Sequence, residues 1–164
     1  MKAVILASGL GSRIQGAING LPKPLVEVDG KPILGRILDS LIVEGISSVV
    51  ITTGYKSEKI HSFISEHPEY SKLNITFVLN PKYETTNYIC SLWMTRKELV
   101  NEEVLLLHGD MLYKQELLSS LIKKKESSVF VQKSNDILEK DFKAQVISGK
   151  VYEIGVTVSG EDAH

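Results

Sequence analysis

The sequence predicts a three-layer α/β/α fold in which a mostly parallel sheet is followed by an antiparallel hairpin near the C-terminal end. Short aliphatic runs alternate along the chain with segments whose apolar residues recur at helical spacing. This alternation is typical of βαβ units, whose crossover helices cover a parallel sheet. With 164 residues, 43% of them hydrophobic and 24% charged, residues 1–164 are expected to form one domain around a sizeable core.

The predicted strands are short, rich in aliphatic residues and bounded by glycine, proline or polar residues. In chain order they cover residues 3–7, 25–28, 49–52, 75–79, 104–107 and 129–132. A turn at Asp29-Gly30 closes the second run. Residues 144–147 and 151–154 predict the terminal hairpin, because the turn sequence Ser148-Gly149 lies between them.

Apolar residues at helical spacing predict the helices that connect these strands. Pro32 suits the first position of one helix, and Gly45 suits its C-terminal stop. Ser57 is predicted to cap a second helix, which Pro68 ends. Two further helices are marked by Ile89, Leu92 and Trp93, and by Leu117, Leu118, Leu121 and Ile122. Their apolar side chains, Trp93 included, are expected to pack in the core.

Composition excludes several classes of function. The net charge of −1 argues against a nucleic-acid or membrane-surface binder, and the run 123–125 of three lysines is interpreted as a solvated helix end. The single cysteine, Cys90, excludes an internal disulfide and a multi-cysteine metal site, and is expected to be buried packing. No apolar stretch approaches the ~20 residues of a membrane span. We therefore expect a soluble, cytoplasmic protein.

The glycine-rich turn that follows the first predicted strand suits an anion. Gly9 and Gly11 permit positive φ angles and a close approach of the backbone, and successive N–H groups in such a turn form an anion-binding nest. The turn is not the dinucleotide-binding fingerprint, because the position of the third glycine is Ile14. It is not a P-loop either, because no Gly-Lys-Ser/Thr follows.

The turn at residues 8–13, the loop at residues 80–86 and Asp110 are expected at one edge of the sheet, where ligands bind beyond the carboxyl ends of the strands. Arg13 carries a guanidinium that matches phosphate oxygens, and Lys23 is held between two prolines. Asp110 directly follows a strand and a glycine, and its carboxylate suits Mg²⁺; the alternative is a cap for the following helix. His108 is interpreted as a packed neighbour rather than a catalytic group.

Several segments resemble the nucleoside-triphosphate transferase family, which includes sugar-1-phosphate nucleotidylyltransferases and bacterial choline-phosphate cytidylyltransferases. The N-terminal motif Leu-Ala-Ser-Gly-Leu-Gly-Ser-Arg at residues 6–13 is the most specific of them. Pro-Lys-Pro-Leu at 22–25, Gly-Lys-Pro-Ile-Leu at 30–34 and Leu-His-Gly-Asp at 107–110 extend the resemblance over most of the chain, together with residues 49–55. The resemblance implies a Rossmann-like nucleotidyltransferase fold.

The resemblance also implies roles for individual residues. Arg13 and Lys23 would be catalytic, binding the triphosphate and stabilising charge during transfer at the α-phosphorus, and Asp110 would ligate Mg²⁺. In the implied reaction an acceptor phosphate or phosphonate oxygen attacks the α-phosphate and pyrophosphate leaves, so no protein nucleophile is needed. The residues implied to hold the nucleotide are Leu6, Ala7, Ser8, Gly9, Gly11 and Ser12.

Residues 80–93 resemble the Asn-rich loop and helix start of the cytidylyltransferase branch that acts on phosphocholine or aminoethylphosphonate. Thr86, Asn87 and Ser91 are therefore candidates to contact the base and ribose, with helix capping by Thr86 or Asn87 as the alternative. The expected function is transfer of CMP from CTP to a small phosphorylated acceptor, in surface-polymer or lipid-headgroup synthesis. The alternatives are a sugar-1-phosphate nucleotidylyltransferase that uses UTP, dTTP or GTP, or a nucleotide-binding regulatory module without turnover.

The resemblance further implies that this chain is shorter than its relatives. The sequence up to His164 matches the first part of the family pattern, whose last segment supplies a second metal-binding aspartate and part of the acceptor pocket. Residues 141–143 and 148–154 resemble the hairpin that precedes this segment, and Lys143 is a candidate to contact an acceptor phosphate. We therefore expect the nucleotide half of the site to be intact and the C-terminal segment to be lacking.

Overall fold

A computed structural model describes residues 1–11, 20–132 and 142–158, which belong to two compact units, Met1–Ile122 and Lys123–His164. In the described part of the first unit the strands are β1 (Lys2–Leu6), β2 (Glu27–Val28), β3 (Lys31–Pro32), β4 (Ser48–Thr53), β5 (Asn74–Leu79) and β6 (Val104–His108). Its helices are α1 (Ile33–Val43), α2 (Ser57–Ser65), α3 (Tyr88–Met94) and α4 (Gln115–Ile122). The second unit contains β7 (Lys143–Ile147) and β8 (Lys150–Gly155).

The central sheet has four parallel strands in the order β5-β4-β1-β6, which confirms the predicted parallel α/β fold. The first strand therefore lies inside the sheet, because its aliphatic residues pair with runs that come much later in the chain. Ala3, for example, lies between Val49 of β4 and Leu105 of β6. Helix connections of the βαβ type make this parallel order possible.

Helices cover both faces of the sheet and make it the middle of three layers. Successive residues of a strand point to opposite faces, so β1 contributes to two apolar clusters. Ala3 and Ile5 face a large cluster built with α1, α2 and α4, whereas Val4 and Leu6 face a smaller one completed from α3. Helix α1 contributes the most to the large cluster, through the fully buried side chains of Leu34, Ile37, Leu38 and Leu41.

Two hairpins turn at the residue pairs that the sequence predicts. Asp29 and Gly30 have φ angles of 48° and 72° and join the antiparallel pair β2 and β3. Ser148 and Gly149, with φ angles of 50° and 77°, join β7 and β8. Two successive residues with positive φ give the twist that a two-residue hairpin needs. Both turn predictions, and the predicted terminal hairpin, are confirmed.

Local predictions are wrong at residues 129–132, at Ser57 and at Pro68. Residues 129–132 form no strand and are exposed; their β-branched and aromatic residues favour extended structure, but no partner strand pairs with them in the described part of the chain. Ser57 is the first residue of α2 rather than its cap, because Lys56 takes the flanking position with a φ of 47°. Pro68 opens a 3₁₀ turn at Pro68–Lys72, three residues after α2 has ended.

Trp93 and Ile89 do not pack in the core, which corrects the predicted apolar face of α3. Trp93 and Ile89 are 64% and 54% exposed, and the guanidinium of Arg96 lies 4.6 Å from the centroid of the Trp93 ring. The buried residue of α3 is Ser91, two positions from each of them. Two positions on an α-helix are about 200° apart. Once Ser91 faces the sheet, Trp93 and Ile89 point away from it.

In the described ranges, no helix is both long and apolar enough to cross a membrane.

Candidate functional site

Backbone hydrogen bonds tie the turn after β1 to the segments that follow both neighbouring strands. On the β4 side, the amide of Tyr55 donates to the carbonyl of Ser8 (3.1 Å). On the β6 side, the amide of Gly109 donates to the carbonyl of Leu6 (2.9 Å), and Asp110 comes next in the chain. The turn and Asp110 therefore meet at the carboxyl edge of the sheet, as the sequence predicts.

Gly11 and Lys23 pack against each other within this turn. Gly11 has a φ of 67°, and a Cβ at this position would lie 2.8 Å from Cγ of Lys23, so both conformation and space require glycine. Gly9 adopts no positive φ, and a Cβ there would meet open space, so only one of the two predicted conformational requirements is present. The predicted residues Ser12 and Arg13 lie outside the described residues.

Lys23 and Asp110, which are far apart in the sequence, form an ion pair. Nζ of Lys23 lies 2.8 Å from Oδ2 of Asp110, with 24% and 39% of the two side chains exposed. Lys23 opens the 3₁₀ turn Lys23–Leu25, which follows Pro22 in an extended conformation. Helix α4 begins only at Gln115, so Asp110 does not cap it and that alternative is excluded. The ion pair places a cation and a carboxylate together at the sheet edge.

A chain of buried side-chain hydrogen bonds links the turn after β1 to the loop after β5. The hydroxyls of Ser8 and Ser91 lie 2.7 Å apart and share a hydrogen bond. The amide nitrogen of Asn80 donates to Ser91 Oγ (2.9 Å) and to Thr86 Oγ1 (3.0 Å). Oδ1 of Asn80 accepts from the backbone amide of Lys82 (2.9 Å). The described structure therefore contains a continuous polar bridge across the edge.

The predicted residues Thr86 and Asn87 both stabilise local structure. Oδ1 of Asn87 accepts from the amides of Ile89 (3.1 Å) and Cys90 (3.4 Å), so Asn87 is the N-cap of α3. Thr86 does not cap the helix; its hydroxyl donates to the carbonyl of Lys82 (2.8 Å) and accepts from Asn80. Contacts of Thr86 and Asn87 with base or ribose stay predictions. Cys90, expected to be buried, is half-buried.

The predicted residues Leu6 and Ala7 form the base of the turn. Both side chains are buried, and the amide of Ala7 donates to the carbonyl of Thr52 (3.1 Å). The hydroxyl of Thr52 accepts from the same amide at 3.1 Å. These bonds hold the end of β1 against β4, so the turn starts from a rigid platform. Ligand contacts of Leu6 and Ala7 stay predictions.

Aromatic rings surround this edge. His108 ends β6, and its ring meets Tyr88 edge to face at a centroid distance of 5.2 Å, which confirms its interpretation as a packed neighbour. On the other side, Tyr83 lies 6.2 Å from Tyr55 and donates to Glu84 (3.3 Å). Partial burial raises the pKa of the Tyr83 phenol, and the negative charge of Glu84 raises it further. Tyr83 therefore stays neutral at physiological pH.

Gly54 and Gly109 are structural residues of the site that the sequence analysis did not single out. A Cβ on Gly54 would lie 2.6 Å from the carbonyl oxygen of Ser8 and 2.7 Å from Cβ of Tyr83. A Cβ on Gly109 would lie 2.9 Å from the carbonyl oxygen of Leu6. Each glycine lies two positions after the end of a predicted strand, and this position in the sequence is the signal that could have identified them.

A cation at this edge would depend on the substrate for most of its ligands. In the parts of the chain that the structure describes, no group of three or more His, Cys, Asp or Glu residues is placed to hold a metal ion. Asp110 supplies a single, partly exposed carboxylate. Mg²⁺ commonly binds in this way, through one or two carboxylates together with substrate phosphates and water. The chemistry of Asp110 therefore fits Mg²⁺ and phosphate together, and not a metal cage made by the protein.

Replacing Gly54 with alanine is expected to destabilise the protein by about 1–3 kcal/mol, because the new methyl group would overlap the backbone of Ser8 and Tyr83 would have to move. Gly9→Ala is the matched control, with an expected change within about 0.5 kcal/mol, since its Cβ meets no neighbour. Urea unfolding measures both. Equal stabilities of the two variants would contradict the close packing at Gly54.

Comparison with known proteins shows the family of this chain. A family model described as a MobA-like NTP transferase domain matches residues 3–139. CMP-5'-(3-aminopropyl)phosphonate synthase from Streptomyces rubellomurinus is 36% identical over 128 residues, which are 78% of this chain and 20% of that protein. Choline-phosphate cytidylyltransferase from Streptococcus pneumoniae is 35% identical over 105 residues, which are 64% of this chain and 43% of that protein. The chain thus spans less than half the length of either relative.

The solved structures agree with the family at the level of the fold. The inositol-1-phosphate CTP transferase from T. maritima superposes with a TM-score of 0.75 at 22% identity, and the match covers 99% of this chain and 66% of that chain. This likeness confirms the Rossmann-like nucleotidyltransferase fold. The family model covers most of the sequence, and in this chain the glycine turn, Lys23 and Asp110 meet at one sheet edge. The chain therefore belongs to the MobA-like NTP transferase family.

Proposed function

We propose that this protein is a Mg²⁺-dependent nucleotidyltransferase that transfers CMP from CTP to a small phosphorylated acceptor and releases pyrophosphate. The observation that carries the proposal is the ion pair of Lys23 and Asp110 beside the Gly11 turn, at the ligand-binding edge of an NTP transferase domain. The two curated relatives described above, one a CMP-phosphonate synthase and one a choline-phosphate cytidylyltransferase, favour CTP and an acceptor of the phosphocholine or phosphonate type.

Lys23 binds the triphosphate and stabilises the charge that develops on it. Its stem lies along Gly11, which directs the ammonium group toward the sheet edge. Without substrate the ammonium is neutralised by Asp110 at 2.8 Å. A phosphate oxygen can take the place of that carboxylate oxygen as acceptor of the lysine's hydrogen bond. The cation is thereby held in place before the nucleotide arrives, and such preorganisation lowers the barrier to transfer.

Asp110 holds the cation that accompanies the nucleotide. When bound, Mg²⁺ supplies positive charge beside the phosphate oxygens, where negative charge accumulates during transfer. To hold this cation, the carboxylate of Asp110 would give up its ion pair with Lys23. Since 39% of the Asp110 side chain is already exposed, this rearrangement costs little desolvation.

The chemical step requires no covalent intermediate with the protein. An oxygen of the acceptor phosphate or phosphonate attacks the α-phosphorus of CTP and forms the new P–O bond. The bond from the α-phosphorus to the oxygen that bridges to the β-phosphate breaks, and its electron pair leaves with pyrophosphate. The chain contributes position and charge to this displacement, through the Gly11 turn, Lys23 and Asp110.

A pyrophosphate-release assay tests the proposal directly. The protein is incubated with MgCl2, each of CTP, UTP, dTTP and GTP, and each of phosphocholine, 2-aminoethylphosphonate and glucose 1-phosphate. Release is expected with CTP and one of the first two acceptors. Release only with another triphosphate and the sugar phosphate would instead identify a sugar-1-phosphate nucleotidylyltransferase. Binding of CTP without release from any pair would identify a binding module.

Replacing Lys23 with alanine is expected to lower kcat/KM at least about tenfold, or ~1.4 kcal/mol of transition-state stabilisation. The reason is the loss of the ammonium that faces Asp110. Lys72→Ala is the matched control, because Lys72 is exposed and precedes β5, at the opposite edge of the sheet. Steady-state kinetics of pyrophosphate release measure both variants. Wild-type kcat/KM in Lys23→Ala would contradict the role of Lys23.

Replacing Asp110 with asparagine is expected to lower kcat/KM roughly a hundredfold, or about 2.7 kcal/mol, and to raise the MgCl2 concentration that gives half-maximal activity. The carboxylate charge that attracts Mg²⁺ is lost, whereas the size of the side chain is kept. Asp29→Asn is the control, since Asp29 occupies a hairpin turn and asparagine tolerates its positive φ. An Asp110→Asn enzyme with an unchanged MgCl2 requirement would rule out this metal role.

A further inference from the structure

The buried polar bridge spans two strands that do not pair with each other. Ser8 follows β1 and Asn80 follows β5, with β4 between them in the sheet. Two strand spacings are about 10 Å, which is too far for a direct bond between the two loops. The hydroxyl of Ser91 fills this distance, because it lies 2.7 Å from Ser8 Oγ and 2.9 Å from Asn80 Nδ2.

The side chain of Asn80 makes its hydrogen bonds to other residues of the protein. Its side-chain amide has two N–H donors, and these go to Thr86 and Ser91; its carbonyl oxygen accepts from the amide of Lys82. Its backbone amide donates to the carbonyl of Thr53 (2.7 Å). With 1% of the residue exposed and both side-chain donors engaged, Asn80 has none left for a ligand.

Ser91 is held in the same way. Its residue is 1% exposed, and its oxygen receives an N–H from Asn80, since an amide nitrogen can only donate. The Ser91 hydroxyl also shares a hydrogen bond with the hydroxyl of Ser8. With so little surface exposed, Ser91 offers almost none to a base or ribose. The geometry instead favours an indirect role, in which Ser91 connects Asn80 to the turn after β1 and so helps to fix the position of that turn.

We propose that Asn80 is a positioning residue for nucleotide binding: through Ser91 it fixes the turn that begins at Ser8, and through Thr86 it fixes the start of α3. The described parts of the two predicted halves of the nucleotide site, residues 6–11 and residues 86–91, are thereby held at a constant separation. This inference rests on the proposed function, because it assigns to Asn80 the alignment of that same site.

Asparagine suits this position for a chemical reason. Aspartate has no N–H groups and would add a buried charge, and serine is too short to reach both partners. Removal of the amide leaves the hydroxyls of Ser91 and Thr86 without their donor inside the protein. Buried polar groups that lose a partner shift to find another. A shift of about 1 Å in a binding loop is enough to cost roughly a hundredfold in activity.

The test compares Asn80→Ala and Ser91→Ala with Thr95→Val. Thr95 is also fully buried, and its hydroxyl donates to the carbonyl of Leu92 (2.6 Å) at the far end of α3, outside the bridge. All three variants are expected to lower the Tm. Only the first two are expected to raise the Kd for CTP in MgCl2, measured by titration calorimetry, by roughly tenfold or more. The KM for CTP should rise equally while the KM for the acceptor stays constant.

A double variant separates a shared bridge from two independent sites. If Asn80 acts through Ser91, the effects of Asn80→Ala and Ser91→Ala on the Kd for CTP combine less than additively, whereas Ser91→Ala and Thr95→Val affect the Kd independently. Should Asn80→Ala not fold, Ser91→Ala decides alone, because it removes a single hydroxyl. Wild-type Kd values in folded bridge variants would overturn this inference and leave the proposed function intact. A wild-type protein that binds none of the four triphosphates would overturn both.

Discussion

The parallel pairing of β1 with β4 on one side and β6 on the other is the constraint on which the rest of the structure depends. Because β1 is central, the segments after all three strands meet at one edge, and each donates or accepts a backbone hydrogen bond there. Such close approach requires glycine at Gly54 and Gly109, where even a methyl group would overlap the carbonyl oxygen of Ser8 or Leu6. The site is therefore a direct consequence of how the sheet is paired.

The two sides of this edge are built from different interactions. On the β6 side, Lys23 and Asp110 form a partly exposed ion pair whose charges can exchange partners with phosphate and a cation. On the side of β4 and β5, Asn80, Ser91 and Ser8 form a neutral, buried bridge. Rearranging exposed charges requires little free energy, whereas breaking buried hydrogen bonds requires more. The first side thus suits chemistry and the second suits alignment.

Most strands and the backbone conformation of the turns could be predicted, because they follow from local chemistry. Aliphatic runs gave the four strands of the central sheet, and the Asp-Gly and Ser-Gly pairs gave both hairpins. The failures share one cause. Residues 129–132 have the composition of a strand without a partner, and Trp93 is apolar on a helix whose inward residue is Ser91. Propensity and periodicity describe one segment, whereas pairing and helix rotation depend on its neighbours.

Of the candidate site, the sequence by itself predicted that the glycine turn and Asp110 lie at one ligand-binding edge, because each follows an aliphatic run and the carboxyl ends of parallel strands share an edge. Only the tertiary structure decided what each group contacts. It paired Lys23 with Asp110 and joined Asn80 to Ser8 through Ser91. These partners are distant in sequence, and a hydrogen bond depends on tenths of an ångström that only the packed sheet defines.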